Sequence, residues 1–269
     1  MTMMTNTKKS AGLEPIKKCE KCGKPLEMYL PNPRTGKPQK VGIMCDCKKA
    51  ERQQWEEQNK RNAEETARRR NIANSLMSAK GKNARFEKIS ETPENSKIIQ
   101  AAKNYCERWK NRQDNEDFKG LLFYGKPGRG KTTIAYCIAN RFLEMGAEVK
   151  AITANSFIDL DFKNAVTASD FAKVDLVVLD DLGAEHKTKY STAKIYALID
   201  AVYNAQKPLI ITTNLDIPGL KIHLTGEDGI CRAYDRLVEM VQIVEVTGEN
   251  HRIQNASNRF GGFSSADKN

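Results

Sequence analysis

The sequence predicts an α/β fold in which a parallel sheet carries helices on both faces, preceded by a small cysteine-rich module and a helical linker. Three observations support it: apolar runs alternate with amphipathic segments after residue 119, a glycine-rich loop joins one run to a helix, and four cysteines cluster near the start. Short apolar runs separated by helices are typical of a sheet buried on both faces. We expect a metal-binding module in residues 1–50, a polar helix and linker in 51–93, and the α/β domain in 94–269.

The composition allows a real core but distributes charge unevenly. The chain has 269 residues, 39% of them hydrophobic, and a formal net charge of +10. Residues 1–80 hold 18 Lys+Arg against 9 Asp+Glu, whereas the remainder holds 26 against 25. Such asymmetry favours contact with nucleic acid or with an acidic protein face; a solvated arm that only aids solubility is the alternative.

The amino terminus and the hydropathy pattern indicate a cytoplasmic protein with no membrane partner. The opening MTMMTNTKKS is polar and then basic, with no apolar segment behind it. No stretch approaches the roughly 20 apolar residues of a membrane span. The seven cysteines are therefore expected to be thiols or metal ligands rather than disulfides.

Four cysteines form two close pairs, C-x2-C and C-x-C, in a stretch rich in Gly and Pro: Cys19, Cys22, Cys45 and Cys47. Four thiolates in two tight pairs suit tetrahedral Zn²⁺, whose binding would supply most of the folding free energy of so small a module. A site closed by four cysteines has no open coordination position, so we expect a structural metal. The other three, Cys106, Cys137 and Cys231, are expected to be small buried hydrophobes.

A polar helix and a linker are predicted between this module and the α/β domain. Residues 50–77 contain no Gly or Pro and few large apolar side chains, so this helix would be an exposed spacer or await a partner. Residues 78–93 have the composition of a linker. The next helix would pack on the core through one face, formed by Ile98, Ala102, Tyr105 and Trp109.

The α/β domain then follows as an alternation of strands and helices. The predicted elements are GLLFYG, TTIAYCIANRFLEM, EVKAITA, VDLVVLDD, STAKIYALIDAVYNA, PLIITTN, RAYDRLVEM and VQIVEV.

The strongest motif is GKPGRGKT, which follows the first of these strands and opens a helix. It fits G-x-x-x-x-G-K-[ST], whose glycines let backbone amides converge on phosphate oxygens at the positive end of a helix. Lys131 would reach the β- and γ-phosphates of ATP, and the Thr132 hydroxyl would hold Mg²⁺. The predicted nucleotide-binding residues are Gly125, Lys126, Pro127, Gly128, Arg129, Gly130, Lys131, Thr132 and Thr133.

Polar residues end two later strands, where ligands sit in open α/β sheets. Asp180, the first residue after an apolar run, would coordinate Mg²⁺, and Asp181 would orient or deprotonate the attacking water. Asn214 would contact the γ-phosphate. Arg232 and Arg236 share one helix face, where an arginine can serve a neighbouring subunit's ATP. Surface pairing with Asp235 or Glu239 is the alternative for both arginines.

Together these motifs resemble the bacterial and phage helicase loaders of the DnaC and DnaI type, which are AAA+ ATPases close to the IstB transposition ATPases. The resemblance rests on four segments of the sequence, namely LLFYGKPGRGKTTIA, VVLDDLGAE, IITTNL, and RAYDRLVEM followed by GENHR. It implies an AAA+ core without a carboxyl-terminal lid domain. It also implies an ATPase that loads the replicative hexameric helicase onto single-stranded DNA.

The resemblance also implies roles for particular residues. Arg236 would be the arginine finger for self-association through ATP sites, and Arg252 the sensor 2 arginine. Lys187, Lys189 and Tyr190 occupy the segment that contributes to single-stranded DNA binding in the family.

Two other functions remain open at this point. One is an IstB-like transposition helper that assembles on duplex DNA and recruits a transposase. The other is a helicase-binding protein that uses ATP as a switch with little turnover, because Asp181 stands where most AAA+ proteins carry Glu. A small-molecule kinase would leave the basic cysteine module unexplained.

Overall fold

The computed structural model describes residues 15–112, 118–226 and 228–251, and the chain divides into two compact units, Met1–Glu65 and Thr66–Asn269. This division falls inside a helix, whereas the sequence placed boundaries at residues 50 and 93.

The first unit contains a short hairpin and the start of a long helix. Strands β1 (Glu27–Pro31) and β2 (Pro38–Gly42) pair antiparallel, with Tyr29 opposite Lys40. Helix α1 (Asp46–Asn74) begins directly after Cys45. Residues 51–65 of α1 are all exposed, and the Trp55 side chain is 65% exposed. This agrees with the polar, unpacked helix that the composition predicts.

The second unit is built on a five-stranded parallel sheet in the order β4-β5-β6-β3-β7. Its strands are β3 (Gly120–Tyr124), β4 (Val149–Thr153), β5 (Leu176–Leu182), β6 (Leu209–Thr213) and β7 (Val241–Glu245). Strand β3, which precedes the glycine-rich loop, lies between β6 and the edge strand β7. The predicted parallel sheet is confirmed.

Helices cover both faces of this sheet, as the sequence predicts. The helices are α2 (Ala79–Lys82), α3 (Ser96–Lys110), α4 (Lys131–Glu144), α5 (Ala154–Phe162), α6 (Ala168–Phe171), α7 (Lys189–Asn204), α8 (Ile217–Leu224) and α9 (Arg232–Met240). Successive residues of a strand face opposite sides. Accordingly Val178 packs with α3 and α4 in one core cluster, and Val177 packs with α5, α7 and α9 in the other.

Two local features differ from the expectation. Residues 78–93 contain α2 and a 3-10 turn (Phe86–Lys88), and Phe86 is buried in the same cluster as α3 and α4. Asn140 of α4 holds the segment by donating 2.8 Å hydrogen bonds to the carbonyls of Gly81 and Ala84. In α3 the buried face includes Ile99 in place of Ile98, which is only partly buried.

No helix within the described residues is long and apolar enough to cross a membrane. The expected absence of a lid domain concerns residues 252–269, which lie outside the described residues.

Candidate functional site

The polar residues predicted for phosphate chemistry meet at the carboxyl edge of the sheet. Strands β3, β5 and β6 are adjacent and parallel, so the loops that follow them emerge at one edge. Sequence positions more than 80 residues apart thereby reach hydrogen-bonding distance: Lys131 Nζ donates to Asn214 Oδ1 over 2.8 Å.

The glycine-rich loop has the backbone that its sequence predicts. Gly130 adopts φ +92° and caps the start of α4, a left-handed conformation that L side chains rarely adopt. Gly125 adopts φ +135°, and a Cβ atom there would lie 2.6 Å from the Val246 carbonyl oxygen. Because that obstacle is backbone, any larger residue at position 125 would push the loop away from the end of β7.

Lys131 is nearly buried, and its ammonium group points into the loop. Besides the contact with Asn214, it donates to the carbonyl oxygens of Gly125 (2.6 Å) and Lys126 (2.9 Å). An ammonium group held this way places a positive charge between the glycine loop and the end of β6. That is where an anionic phosphate chain would be bound.

A hydroxyl–carboxylate network lies beside the lysine. Thr132 Oγ1 donates to Asp180 Oδ1 over 2.8 Å, and Thr212 Oγ1 donates to the same oxygen over 2.5 Å. Thr212 Oγ1 also accepts a 2.9 Å hydrogen bond from the Asp181 amide. Hydroxyl and carboxylate oxygens are the ligand types that Mg²⁺ prefers, so the pair of Thr132 and Asp180 fits a magnesium ion.

The two aspartates of β5 both line the cleft because the strand is irregular there. The pairing of β5 with β6 shifts register between Leu179 and Leu182, and Asp181 adopts φ +53°. In a regular strand, neighbouring side chains would face opposite sides of the sheet. Asp180 is buried and Asp181 is half-exposed. Burial raises the pKa of Asp180 above its usual range, although hydrogen bonds from Thr212 and Thr132 oppose the shift.

These groups open into a cleft of about 1470 Å³. One wall carries most of the predicted loop, from Pro127 to Thr133, together with Asp180, Asp181 and Asn214. Gly125 and Lys126 participate through their carbonyls, which accept from Lys131. Further lining residues come from the segment that the sequence assigned to a linker, residues 78–93, and include Ser78, Arg85, Lys88 and Ile89.

Several residues of the site were missed from the sequence. Thr212 and Thr213 end the strand β6 after three apolar residues, and a hydroxyl at position 212 was the available signal. Residues 78–93 gave no signal, because a linker composition does not show which residues pack on a distant helix. Tyr136 of α4 also lines the cleft, one helical turn after Thr132.

The carboxyl-terminal motif reaches the loop. The His251 amide donates to the Gly128 carbonyl at 3.0 Å, and the His251 side chain lines the cleft. Arg252, the predicted sensor 2 arginine, lies outside the described residues.

The two arginines of α9 have different surroundings. Arg236 pairs with Asp200 and donates to the Tyr196 hydroxyl at 2.9 Å. Arg232 pairs with Asp228 at 2.8 Å. The partners therefore differ from Asp235 and Glu239, because α7 and the loop before α9 lie closer to the guanidinium groups.

The four amino-terminal cysteines form a cluster in the first unit. Their sulfur atoms all lie within 4.8 Å of one another. A tetrahedron with Zn–S bonds of about 2.3 Å has S···S edges of about 3.8 Å, so the cluster fits a Zn²⁺ ion. The Cys22 amide is the largest of several donors that lower the pKa of Cys19 to about 6. Cys47 lies in the first turn of α1, whose amino-terminal end favours negative charge.

The other three cysteines are not alike. Cys106 and Cys137 are buried, and burial raises the pKa of each thiol to about 12. Cys231 is half-exposed and contacts the Thr225 hydroxyl at 3.1 Å, so the expectation of burial was wrong for it.

Curated relatives share parts of this chain. The replicative helicase loader DnaC of Escherichia coli K12 is 31% identical over 140 residues, which cover 48% of this chain and 55% of that protein. The DnaC of Buchnera aphidicola subsp. Baizongia pistaciae is 26% identical over 201 residues, covering 68% of this chain and 78% of the relative. The match to the DnaC of Buchnera aphidicola subsp. Acyrthosiphon pisum covers 57% of that relative. The chain thus spans little more than half the length of some of these relatives.

Solved structures share the fold. A crystal structure of DnaI aligns with a TM-score of 0.55 at 22% identity, covering 66% of this chain and 95% of that one. A crystal structure of the DnaC helicase loader aligns with a TM-score of 0.53 at 23% identity, covering 63% and 100%. The sequence model of one family, described as IstB-like ATP binding protein, matches residues 55–259. Since that match spans more than half of the chain, the protein belongs to the IstB-like ATP binding protein family.

Proposed function

We propose that this protein is an ATP-dependent loader that places the replicative hexameric helicase on single-stranded DNA. The observation that carries the proposal is the cleft in which Lys131 donates a hydrogen bond to Asn214 and Thr132 donates one to Asp180. The relatives named as replicative helicase loaders favour this function over others that use the same type of cleft.

Five residues of the cleft have roles in the proposed ATP hydrolysis. Lys131 would bind the β- and γ-phosphates, and Asn214, which accepts a hydrogen bond from Lys131, would contact the γ-phosphate. Thr132 and Asp180 would hold Mg²⁺, which would neutralise phosphate charge. Asp181 orients the attacking water; it is one methylene shorter than Glu, so we expect slow intrinsic turnover.

The first unit would bind the helicase. A Zn²⁺ ion held by the four cysteines would fix the start of α1, whose exposed surface then offers a rigid binding element. Copies of the second unit would associate through their ATP sites, with Arg236 acting across the boundary. The assembly would hold the helicase open for single-stranded DNA, and hydrolysis would release the loader.

Size-exclusion chromatography with the cognate helicase tests the proposal. Mixed with helicase and ATP, the full chain should co-elute with it as one large complex, and zinc chelation should abolish the complex. If the two proteins elute separately under every nucleotide condition while both remain folded, the proposal that this protein is a helicase loader is wrong.

A second candidate is an IstB-like transposition helper, which the family description favours. That function requires ATP-dependent binding of duplex DNA without affinity for the helicase.

A third candidate is a helicase-binding protein that uses ATP only as a switch, which is favoured by Asp181 in place of Glu. Turnover equal to that of Lys131→Ala, with helicase binding retained, would support the switch.

An aromatic pair beside the ATP site favours binding of single-stranded DNA. Phe162 at the end of α5 is 74% exposed, and its ring lies 6.0 Å, edge to face, from that of Tyr190. Asp161 accepts a 2.9 Å hydrogen bond from the Tyr190 hydroxyl and forms an ion pair with Lys194 at 2.7 Å. Exposed rings stabilised beside lysines can stack bases while cations attract the backbone.

We expect Phe162→Ala to weaken binding of a labelled poly-dT oligonucleotide about 5–150-fold, because base stacking on an aromatic ring contributes roughly 1–3 kcal/mol. Phe162→Tyr keeps a ring and should bind as the wild type does. Ile243→Ala, which removes an exposed apolar side chain from the edge strand β7, is the matched control. Equal affinities for Phe162→Ala and Ile243→Ala, measured by fluorescence anisotropy, would remove Phe162 from the DNA site.

A further inference from the structure

Glu185 and His223 form a buried pair next to the end of β5. Glu185 Oε1 lies 2.7 Å from His223 Nε2, and the two side chains are 2% and 15% exposed. Glu185 Oε2 accepts a 2.8 Å hydrogen bond from the Gly183 amide. Burial would raise the pKa of Glu185, but hydrogen bonds from His223 and from backbone amides lower it below its usual range. Both oxygens of the buried carboxylate are therefore bound.

Glu185 ends a turn that begins at Asp181, and we call residues 181–185 the β5 turn. Asp181 adopts φ +53° and Gly183 adopts φ +92°, so both residues lie in the left-handed region. The Ala184 amide donates to the Asp181 carbonyl at 3.1 Å. A residue other than glycine is strained in this conformation and keeps it only where the surrounding structure holds it. The direction of the Asp181 side chain therefore depends on the contacts that hold the β5 turn.

Contacts from two other elements hold the β5 turn. The hydroxyls of Thr212 and Thr213 in β6 bind the backbone of its first two residues over 2.9 and 2.6 Å. Within the turn, Glu185 binds the Gly183 amide, and His223 of α8 in turn binds Glu185. Removal of the His223 imidazole would free the carboxylate, and the turn would lose its attachment to α8 through Glu185.

Helix α8 does not require this pair in order to stay on the domain. Leu220 and Leu224 of α8 are buried in the core cluster that also contains apolar residues of β5 and β6. Asp216 caps the helix by accepting the Gly219 amide at 2.8 Å. A buried charged pair gives little net stability, because the cost of desolvation offsets much of the attraction. The pair is therefore better explained by the turn that it holds than by the stability of the domain.

We propose that the Glu185–His223 pair holds Asp181 in the direction from which it orients the attacking water. The inference rests on the proposed ATPase function. In that reaction, water adds to the γ-phosphorus as the bond to the β,γ-bridging oxygen breaks, which gives ADP and, after a proton leaves the added water, inorganic phosphate. Glu185 and His223 are positioning residues, because they act through the backbone of the β5 turn and through Asp181.

Substitution of His223 in the full chain tests the pair. His223→Ala should lower kcat for ATP hydrolysis about 10-fold and leave the affinity for ATP within about twofold, because a displaced Asp181 slows the attack of water but not the binding of phosphates. His223→Gln, whose side-chain amide can occupy the position of Nε2, should restore most of kcat. His186→Ala is the matched control, since His186 is an exposed histidine that directly follows the β5 turn, and it should change neither value. Phosphate release gives kcat, and equilibrium binding of labelled ATP gives the affinity.

The route through Asp181 is tested in an Asp181→Asn background. Asn keeps an oxygen that can bind water, so a single-turnover assay with excess protein should show a reduced rate for Asp181→Asn. Addition of His223→Ala should lower that rate by less than about twofold, because the residue that the pair positions has already been altered. A further loss as large as in the wild-type background would show that the pair acts independently of Asp181 and would overturn the inference.

The outcomes separate this inference from the proposed function. Wild-type turnover no higher than that of Lys131→Ala would remove the ATPase function and the inference with it. Normal wild-type turnover would overturn only the inference if His223→Ala left kcat unchanged, or if it lowered kcat and ATP affinity equally. If His223→Ala fails to fold, His223→Asn is the second variant, because it keeps a polar side chain that ends short of the Nε2 position. It should show the same loss of kcat, and a wild-type kcat would overturn the inference.

Discussion

Lys131→Ala should lower the ATPase rate at least ~100-fold, because the charge that would bind and neutralise the β- and γ-phosphates is lost from the cleft. The lysine is nearly buried, and its ammonium group joins the glycine loop to Asn214. The rate is measured by phosphate release at saturating ATP and Mg²⁺, and the fold is checked by circular dichroism.

Lys103→Ala is the control for the loss of a lysine. Lys103 pairs with Glu91 on the surface at 3.1 Å, so its replacement should leave the rate within about twofold, since such exposed pairs contribute little. Equal rates for Lys131→Ala and the wild type would mean that the cleft does not hydrolyse ATP.

Removal of the proposed Zn²⁺ should unfold the first unit and leave the proposed nucleotide binding of the second unit intact. The cysteine cluster connects Cys45, which directly precedes α1, with Cys19, which precedes the hairpin. A structural Zn²⁺ contributes on the order of 10 kcal/mol to the folding of small modules, far more than a unit of this size gains from its own core. Cys45→Ser should therefore abolish helicase association and leave ATP binding within about twofold.

Zinc content by atomic emission and helicase co-elution are the two measurements for this variant. Cys231→Ser, outside the cluster, should retain one zinc per chain and full association. A Cys45→Ser protein that still binds the helicase normally would show that the helicase-binding surface does not depend on the cysteine cluster.

The sequence predicts those parts of the site whose chemistry is local. The glycine loop needs left-handed backbone at Gly125 and Gly130 and a lysine directly after them, so its pattern is compact and readable. The paired cysteines are similar, because two short spacings already define a tetrahedral cluster. The parallel sheet follows from the alternation of apolar runs and helices.

Features that depend on contacts between distant residues were not predictable. The linker composition of residues 78–93 hides the packing of Phe86 and the hydrogen bonds from Asn140 that bring this segment to the cleft. The partners of Arg236 lie 36 and 40 positions away on α7, and no periodicity links the two helices. The register shift that turns both aspartates into the cleft follows from pairing with β6, which local sequence does not encode.

Equilibrium binding of a labelled adenine nucleotide to the intact chain tests the central claim most directly. With Mg²⁺ present, one ATP per chain should bind in the micromolar range, corresponding to roughly 8 kcal/mol. Affinity should fall at least ~10-fold in Lys131→Ala and when Mg²⁺ is removed. A correctly folded wild-type protein that retains no ATP at millimolar concentration, with or without Mg²⁺, would contradict the account.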